Sequence, residues 1–175
     1  MISVYLRAVL AAVGIAAIGG PVVGQSDGDM LFSPEATQSC LDRAADEPAR
    51  RACIGAGANA CMEGDAEGFT TIGMMSCINQ ELDWWDDRLN ARYTALMAEE
   101  KASDAELDKL GSSAPRLAPA LRAMQRAWIP YRDAACEYEQ AQWGGGSGSG
   151  PAVLGCHMRM TAEQVLHLEG FLGDG

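Results

Sequence analysis

Histidine is scarce in this chain, with 2 in 175 residues, and neither stands in a pattern with a serine or an acid that makes a nucleophile and its base. CxxC pairs are missing, as are the CxxCH haem motif and the paired-cysteine spacing of a zinc site. Thiol redox catalysis, covalent haem and structural zinc lose support together. Basic residues are few, 13 Lys and Arg against 24 Asp and Glu, for a net charge of −11. With no basic stripe, nucleic acid is excluded as an expected partner. Strand signals are nearly absent and internal repeats are lacking. No apolar run is long enough, or poor enough in Ala and Gly, to make a permanent membrane span.

The front of the chain has a clear layout. Met1–Gly24 carries one charge, Arg7, then the apolar run Ala8–Ile18 and the small-residue exit Val22-Val23-Gly24. A positive start, a short apolar core and a small-residue end make a cleavable secretory signal. Residues 1–24 are therefore expected to be removed, giving a soluble periplasmic or secreted protein with a mature start near Gln25. Cys40 is the first cysteine and lies well past that cut, so no lipid-attachment cysteine begins the mature chain. What remains suffices for one domain with a modest core. Loss of Arg7 takes the net charge from −11 to −12. An acidic surface attracts a cationic partner at a rate that fades with salt, and it equally keeps an exported protein soluble.

Six cysteines in a small exported chain read as a disulfide framework, with fifteen possible pairings. The helical pattern restrains them. Ser33-Pro34-Glu35 opens a first helix that ends near Ala45, and a second runs from about Pro48 to Met62, weakened by Gly55 and Gly57. After a loop at Glu63–Gly68, Thr70 or Thr71 caps the third helix. Its apolar positions Met75, Ile78, Leu82, Trp85, Leu89, Tyr93 and Leu96 form one face. Ser103–Leu110 is a short amphipathic segment. A fourth helix, roughly Ala120–Trp143, turns Leu121, Met124, Trp128, Tyr131 and Ala135 inward and is kinked by Pro130. Gly144–Gly150 is a flexible loop, and a last helix covers about Leu154–Leu172. The fold class is all-α, a small disulfide-stapled bundle of helical hairpins. On one straight helix Cys40 and Cys53 stand about 20 Å apart at 1.5 Å per residue, too far to bond. Folded back as hairpins, sequential cysteines meet, which predicts Cys40–Cys53, Cys61–Cys77 and Cys136–Cys156, each stabilising by roughly 2–4 kcal/mol. The set 53–77 with 40–61 remains open.

Two segments carry a resemblance. The first is Cys77-Ile-Asn-Gln-Glu81, followed by Trp85-Asp86 and Leu89-Asn90-Ala-Arg-Tyr93. The second is Gln125-Arg-Ala-Trp128-Ile-Pro-Tyr131-Arg132-Asp133-Ala-Ala-Cys136. Together they resemble the lysozyme-inhibitor LprI-like N-terminal domain family of small exported helical bacterial proteins, over about Cys61–Leu168. The resemblance implies an all-α fold, no catalytic residues of its own, no cofactor, and a protein partner such as a c-type lysozyme or another cationic envelope protein. Cys61, Cys77, Cys136 and Cys156 match the family's usual four cysteines, which supports two of the three pairs. The chain then divides into the signal at 1–24, an N-terminal helical extension at 25–60 that holds Cys40 and Cys53, and the LprI-like domain at 61–172. Thr161 fits the family pattern, but Gln164 stands where an arginine is usual.

Several residues bear on function. Trp128, Tyr131, Arg132 and Asp133 have the make-up of an interface hot spot. They equally suit packing of Trp128 and Tyr131 against Trp85 and Leu89, with Arg132 and Asp133 paired to Asp86 or Arg88. Asp83, Asp86 and Asp87, with Glu81, suit a metal or acid–base group, an acidic face for a basic enzyme, or a solvated helix surface. His157-Met158-Arg159-Met160 offers soft copper ligands, although thioethers fill helical cores as readily. Gly144–Gly150 lacks any side chain that would fill an active site and reads as a tether. Three functions follow: a binding module that blocks a lysozyme cleft through Asp83, Asp86, Asp87, Trp128, Arg132 and Asp133; a structural or stress-related envelope protein without lysozyme inhibition; and a metal or small-ligand carrier.

Overall fold

Apolar positions three and four residues apart dominate the sequence, and the computed structural model, which describes residues 31–172, builds helices from them. Among the described residues there are six helices and no strand: α1 (Glu35–Arg43), α2 (Glu47–Arg51), α3 (Ala56–Glu63), α4 (Thr71–Lys109), α5 (Leu117–Ala141) and α6 (Ser149–Leu172). The expected leader and the mature start near Gln25 lie outside the described residues. None of the described helices is long and apolar enough to cross a membrane.

Helix α4 spans about 58 Å at 1.5 Å per residue and organises the rest. The Thr70 hydroxyl accepts from the Gly73 N–H at 3.0 Å and starts it, one of the two caps expected. A Cβ on Gly73 would overlap the Glu67 carbonyl, so only glycine lets the preceding turn come this close. The expected short segment at Ser103–Leu110 is instead the last part of α4. Glu99, Glu100 and Lys101 interrupt the apolar pattern but contain no helix breaker. Continuity places Asp104 where its carboxylate caps α5, accepting from Leu117 N–H at 2.7 Å and Ala118 N–H at 3.0 Å. That cap starts α5 ahead of the expected Ala120, and the helix then runs through Pro130.

Helices α4, α5 and α6 run up, down and up. Met75 lies against Gly150 at one end, while Arg88 and Arg92 meet Glu169 further along, so α6 is parallel to α4. Gln125 to Gln164, Arg132 to Thr161 and Cys136 to Cys156 make α5 antiparallel to α6. Between these helices lies the core of Trp85, Leu89, Leu96, Leu121, Ala162, Val165 and Leu168, each at most 8% exposed. Burying an indole and this set of aliphatic side chains is the main favourable term of the fold. Met75, placed on the inward stripe by spacing, is 37% exposed because it lies at the outer end of α4.

The segment before α4 differs most from expectation. A single helix over Pro48–Met62 is replaced by α2 and α3, broken at Gly55, whose φ is +92°. Glycine enters this left-handed conformation without the Cβ penalty. The break frees the first N–H groups of α3, which a continuous helix would have used internally, and turns them toward α4. The three disulfides are Cys40–Cys53, Cys61–Cys77 and Cys136–Cys156, the sequential hairpin set, with Cα–Cα distances of 5.6, 5.7 and 5.5 Å. Cys61–Cys77 ties α3 to α4 and Cys136–Cys156 ties α5 to α6 across their bends, while Cys40–Cys53 ties α1 to the turn between α2 and α3. Helix α6 begins at Ser149, earlier than Leu154, with Pro151 in its first turn, which shortens the glycine loop.

Candidate functional site

Two polar networks hold the helices in register and remove several residues from the list of surface candidates. Glu81 lies four residues from both Cys77 and Trp85 on the inward stripe of α4, and it is 0% exposed. Its Oε1 accepts from Thr37 Oγ1 at 3.0 Å, Gly55 N–H at 2.9 Å and Trp85 Nε1–H at 3.0 Å, and its Oε2 accepts from Ala58 N–H at 2.6 Å. Thr37 Oγ1 in turn accepts from Gly57 N–H at 2.8 Å. A carboxylate thus meets the N-terminal N–H groups of α3, whose partial positive charge favours it. Glu81 therefore does not join Asp83, Asp86 and Asp87 in a surface carboxylate group, because it faces the opposite side of α4.

Glu169 on α6 forms the second network. It takes Arg50 from α2, Arg88 at 2.8 Å and Arg92 at 2.8 Å from α4. Arg88 also donates to Gln38 Oε1 at 3.1 Å and lies 5.6 Å over the Trp84 ring. Burial raises the Glu169 pKa, but hydrogen bonds and charge from Arg92, Arg88 and Arg50 outweigh it and hold the group below its ordinary value. Arg88 is consequently not the partner of Asp133, as the sequence had offered.

The α5 candidates are arranged differently from expectation. Arg132 pairs with its neighbour Asp133 at 2.9 Å, reaches Thr161 Oγ1 at 3.4 Å and lies 5.0 Å over the Trp128 ring. It makes no pair with Asp86, because the Thr161 contact draws it toward α6. Trp128 is half-buried against the core, as the packing alternative requires. Tyr131 does not face inward: it is 66% exposed, since residues 128 and 131 flank the helix interface from different angles. Asp133 lies 4.0 Å from His157 Nδ1. Burial and the Arg132 charge lower the His157 pKa against the opposing pull of Asp133 and Glu137, which favours the neutral imidazole.

Trp128 and Tyr131 form one wall of a cleft of about 410 Å³ between α5 and α6. Glu139, Arg159, Glu163 and Gln164 supply its polar lining, and Met160 and Cys156 its floor. Arg159 is paired with Glu139 at 3.1 Å. Gln164 donates its amide N–H to Gln125 Oε1 at 3.0 Å, so a neutral amide contact stands where an arginine is usual in the resembling family. Glu163 escaped the sequence reading, and Gln164 entered it only as a departure from the family pattern, because their place in the cleft depends on how α5 and α6 are rotated.

Asp83, Asp86 and Asp87 are all exposed on the side of α4 turned away from Trp85 and Leu89. Asp83 accepts from Asn79 at 3.1 Å and Asp86 from Asn90 at 3.3 Å. Among the described residues no hydrogen bond or ion pair joins them to Trp128, Arg132 or Asp133. The copper ligands do not converge. Met158 is buried near Gly55, Met160 Sδ lies 3.8 and 3.9 Å from the disulfide sulfurs of Cys136 and Cys156, and His157 turns to Asp133. Among the described residues no group of three or more His, Cys, Asp or Glu is placed to hold a metal.

Comparison with known proteins finds sequence relatives. The chain is 30% identical over 136 residues to an uncharacterized 17.7 kDa protein of the puhA 5′ region in Rhodobacter capsulatus, covering 76% of this chain and 82% of the relative. It is 33% identical over 93 residues to an uncharacterized protein of Rhizobium meliloti (strain 1021), covering 53% of this chain and 67% of the relative. No solved structure is similar enough to count as a match. The family described as lysozyme inhibitor LprI matches residues 61–168, from Cys61 in α3 to Leu168 in α6. With more than half of its length matched and the cysteine-stapled helices in place, the chain belongs to the LprI lysozyme inhibitor family.

Proposed function

We propose that this protein is an exported inhibitor, periplasmic or secreted, that docks on a c-type lysozyme and blocks its cleft. The match of residues 61–168 to a lysozyme inhibitor family carries the reading. The net charge of −11 supports it, because attraction between an acidic protein and a cationic enzyme speeds their encounter. Three disulfides suit an oxidising compartment outside the cytoplasm. In this reading residues 1–24 direct export and are removed, 25–60 are an N-terminal helical extension, and 61–172 are the LprI-like domain. Exposed Asp83, Asp86 and Asp87 steer the enzyme toward α4, while Trp128 and Asp133 offer contact on α5 and Arg132 fixes Trp128. Inhibition of this kind asks for no catalytic group and no cofactor.

The test is lysis of bacterial cell walls by c-type lysozyme with the oxidised protein from Gln25 onward, at low and moderate salt. Inhibition that weakens with salt, and a D83N/D86N/D87N variant with weaker inhibition and a flatter salt dependence, are expected. Absence of inhibition at any salt overturns the proposal. Recovery of the protein with another envelope component, without inhibition, favours the structural envelope role instead.

A further inference from the structure

We propose that the cleft between α5 and α6 is a receptor for one basic side chain of a protein partner, arginine in preference to lysine. The proposal deepens the docking reading and rests on it for the class of partner. Its central observation is Glu163. This residue lines the cleft with Trp128 and Tyr131, yet makes no hydrogen bond or ion pair among the described residues, whereas Glu169 on α6 and Glu139 across the cleft are both paired. Glu163 acts electrostatically on Arg51, which is itself held by Glu47 at 2.6 Å, and the cation in the cleft, Arg159, is paired with Glu139.

The rest of the lining fits a guanidinium. Glu139 is shared with Arg159 at 3.1 Å, so the cleft holds two carboxylates against one cation. Gln164 spends its N–H on Gln125, which leaves its amide oxygen as a second acceptor beside Glu163. Trp128 and the exposed Tyr131 provide aromatic faces, and a cation over such a face gains more in a partly desolvated cleft than in water. Arg132 lies over the Trp128 ring, but its charge is answered by Asp133 at 2.9 Å and it does not line the cleft. The lining by Ala135, Met160 and Cys156 is uncharged and suits an aliphatic stem. A flat guanidinium can stack on an aromatic face while its fork meets Glu163 and Gln164, and a compact ammonium cannot do both, hence the preference for arginine. The volume of about 410 Å³ lies in the range of small-ligand sites.

The probe is N-acetyl-arginine amide, with N-acetyl-citrulline amide as its neutral isostere, titrated into the oxidised protein while the indole N–H signal of Trp128 is followed by NMR. W128F assigns the signal. A saturable shift with the arginine compound, at least ten-fold weaker with citrulline and lost in E163Q, is expected, with an unchanged melting temperature for E163Q. An equal response to both probes, or an E163Q variant that behaves as wild type, overturns the proposal. The lysis assay separates the two readings. Probe binding without lysozyme inhibition sinks the lysozyme reading and leaves the cleft standing. Inhibition that E163Q leaves intact, in a protein that ignores the probe, sinks the cleft and leaves the inhibitor.

Discussion

Replacing Glu81 with glutamine should destabilise this protein more than any surface carboxylate change, and the structure gives the size. The carboxylate is fully buried and accepts from four donors on three helices and the turn before α3. Glutamine keeps one acceptor oxygen and introduces an NH2 group. In its better orientation the NH2 takes the Oε2 place and confronts the Ala58 N–H, leaving that buried donor unpaired at about 1–3 kcal/mol. The other three bonds survive but lose their charge assistance, at a further few tenths to 1 kcal/mol each. Together these give about 2–6 kcal/mol, which brackets the cost of breaking a buried charged network. For a domain of this size that lowers the melting temperature by roughly 10 °C. Urea denaturation of the oxidised protein at pH 7 measures the loss. Hydrogen exchange should locate it, with protection falling first at Gly55, Gly57 and Ala58. T37V, which removes one donor to Glu81 and the acceptor for Gly57, should cost less and combine with E81Q non-additively. A loss below about 1 kcal/mol for E81Q, or unchanged protection at the start of α3, would refute the view that this carboxylate holds α1, α3 and α4 together.

The three arginines that hold the Glu169 pKa low make its ionisation a source of stability. That contribution is present above the ordinary value of 4.5 and disappears as pH falls through the lowered value, so acid unfolding curves of wild type and E169Q should converge at the lowest pH. Parallel curves throughout would contradict the linkage. Gly55→Ala should cost roughly 1–2 kcal/mol from the left-handed backbone alone, since the added Cβ meets Met158 at an ordinary 3.5 Å; a neutral result in thermal denaturation would remove the strain argument. Loss of Cys136–Cys156, which closes a loop of 20 residues in sequence, should cost about 3 kcal/mol in a C136S/C156S variant and increase exchange at the ends of α5 and α6. Retention of full stability would show that helix packing alone holds that hairpin.

The long elements were legible in the sequence because their signals are local. The Thr70 cap and the apolar stripe through Trp85, Leu89 and Leu96 mark α4, and the two segments around Cys77 and Trp128 mark the family. Disulfide pairing was legible in part, since hairpin geometry favours sequential cysteines but left 53–77 with 40–61 open until the structure placed Cys53 beside Cys40. Glu81 left a readable trace: a charge at four-residue spacing between Cys77 and Trp85 sits on a buried stripe, where it needs donors. Spacing alone did not say where those donors come from. The surface group of Asp83, Asp86 and Asp87 follows from helix periodicity, whereas Tyr131, assigned to the interior by the same periodicity, is exposed because interfaces with α4 and α6 divide the circumference of α5.

Composition and periodicity by themselves determine that this chain is acidic and helical, because charge and amphipathic spacing act over a few residues to a few turns, and they favour disulfides between sequential cysteines. The break at Gly55, the convergence of Arg50, Arg88 and Arg92 on Glu169, and the cleft that brings Glu163 beside Trp128 were decided only by the tertiary structure. Each depends on the rotation and offset of whole helices, which are set by the summed packing of the core and by buried groups that must find partners far away in sequence.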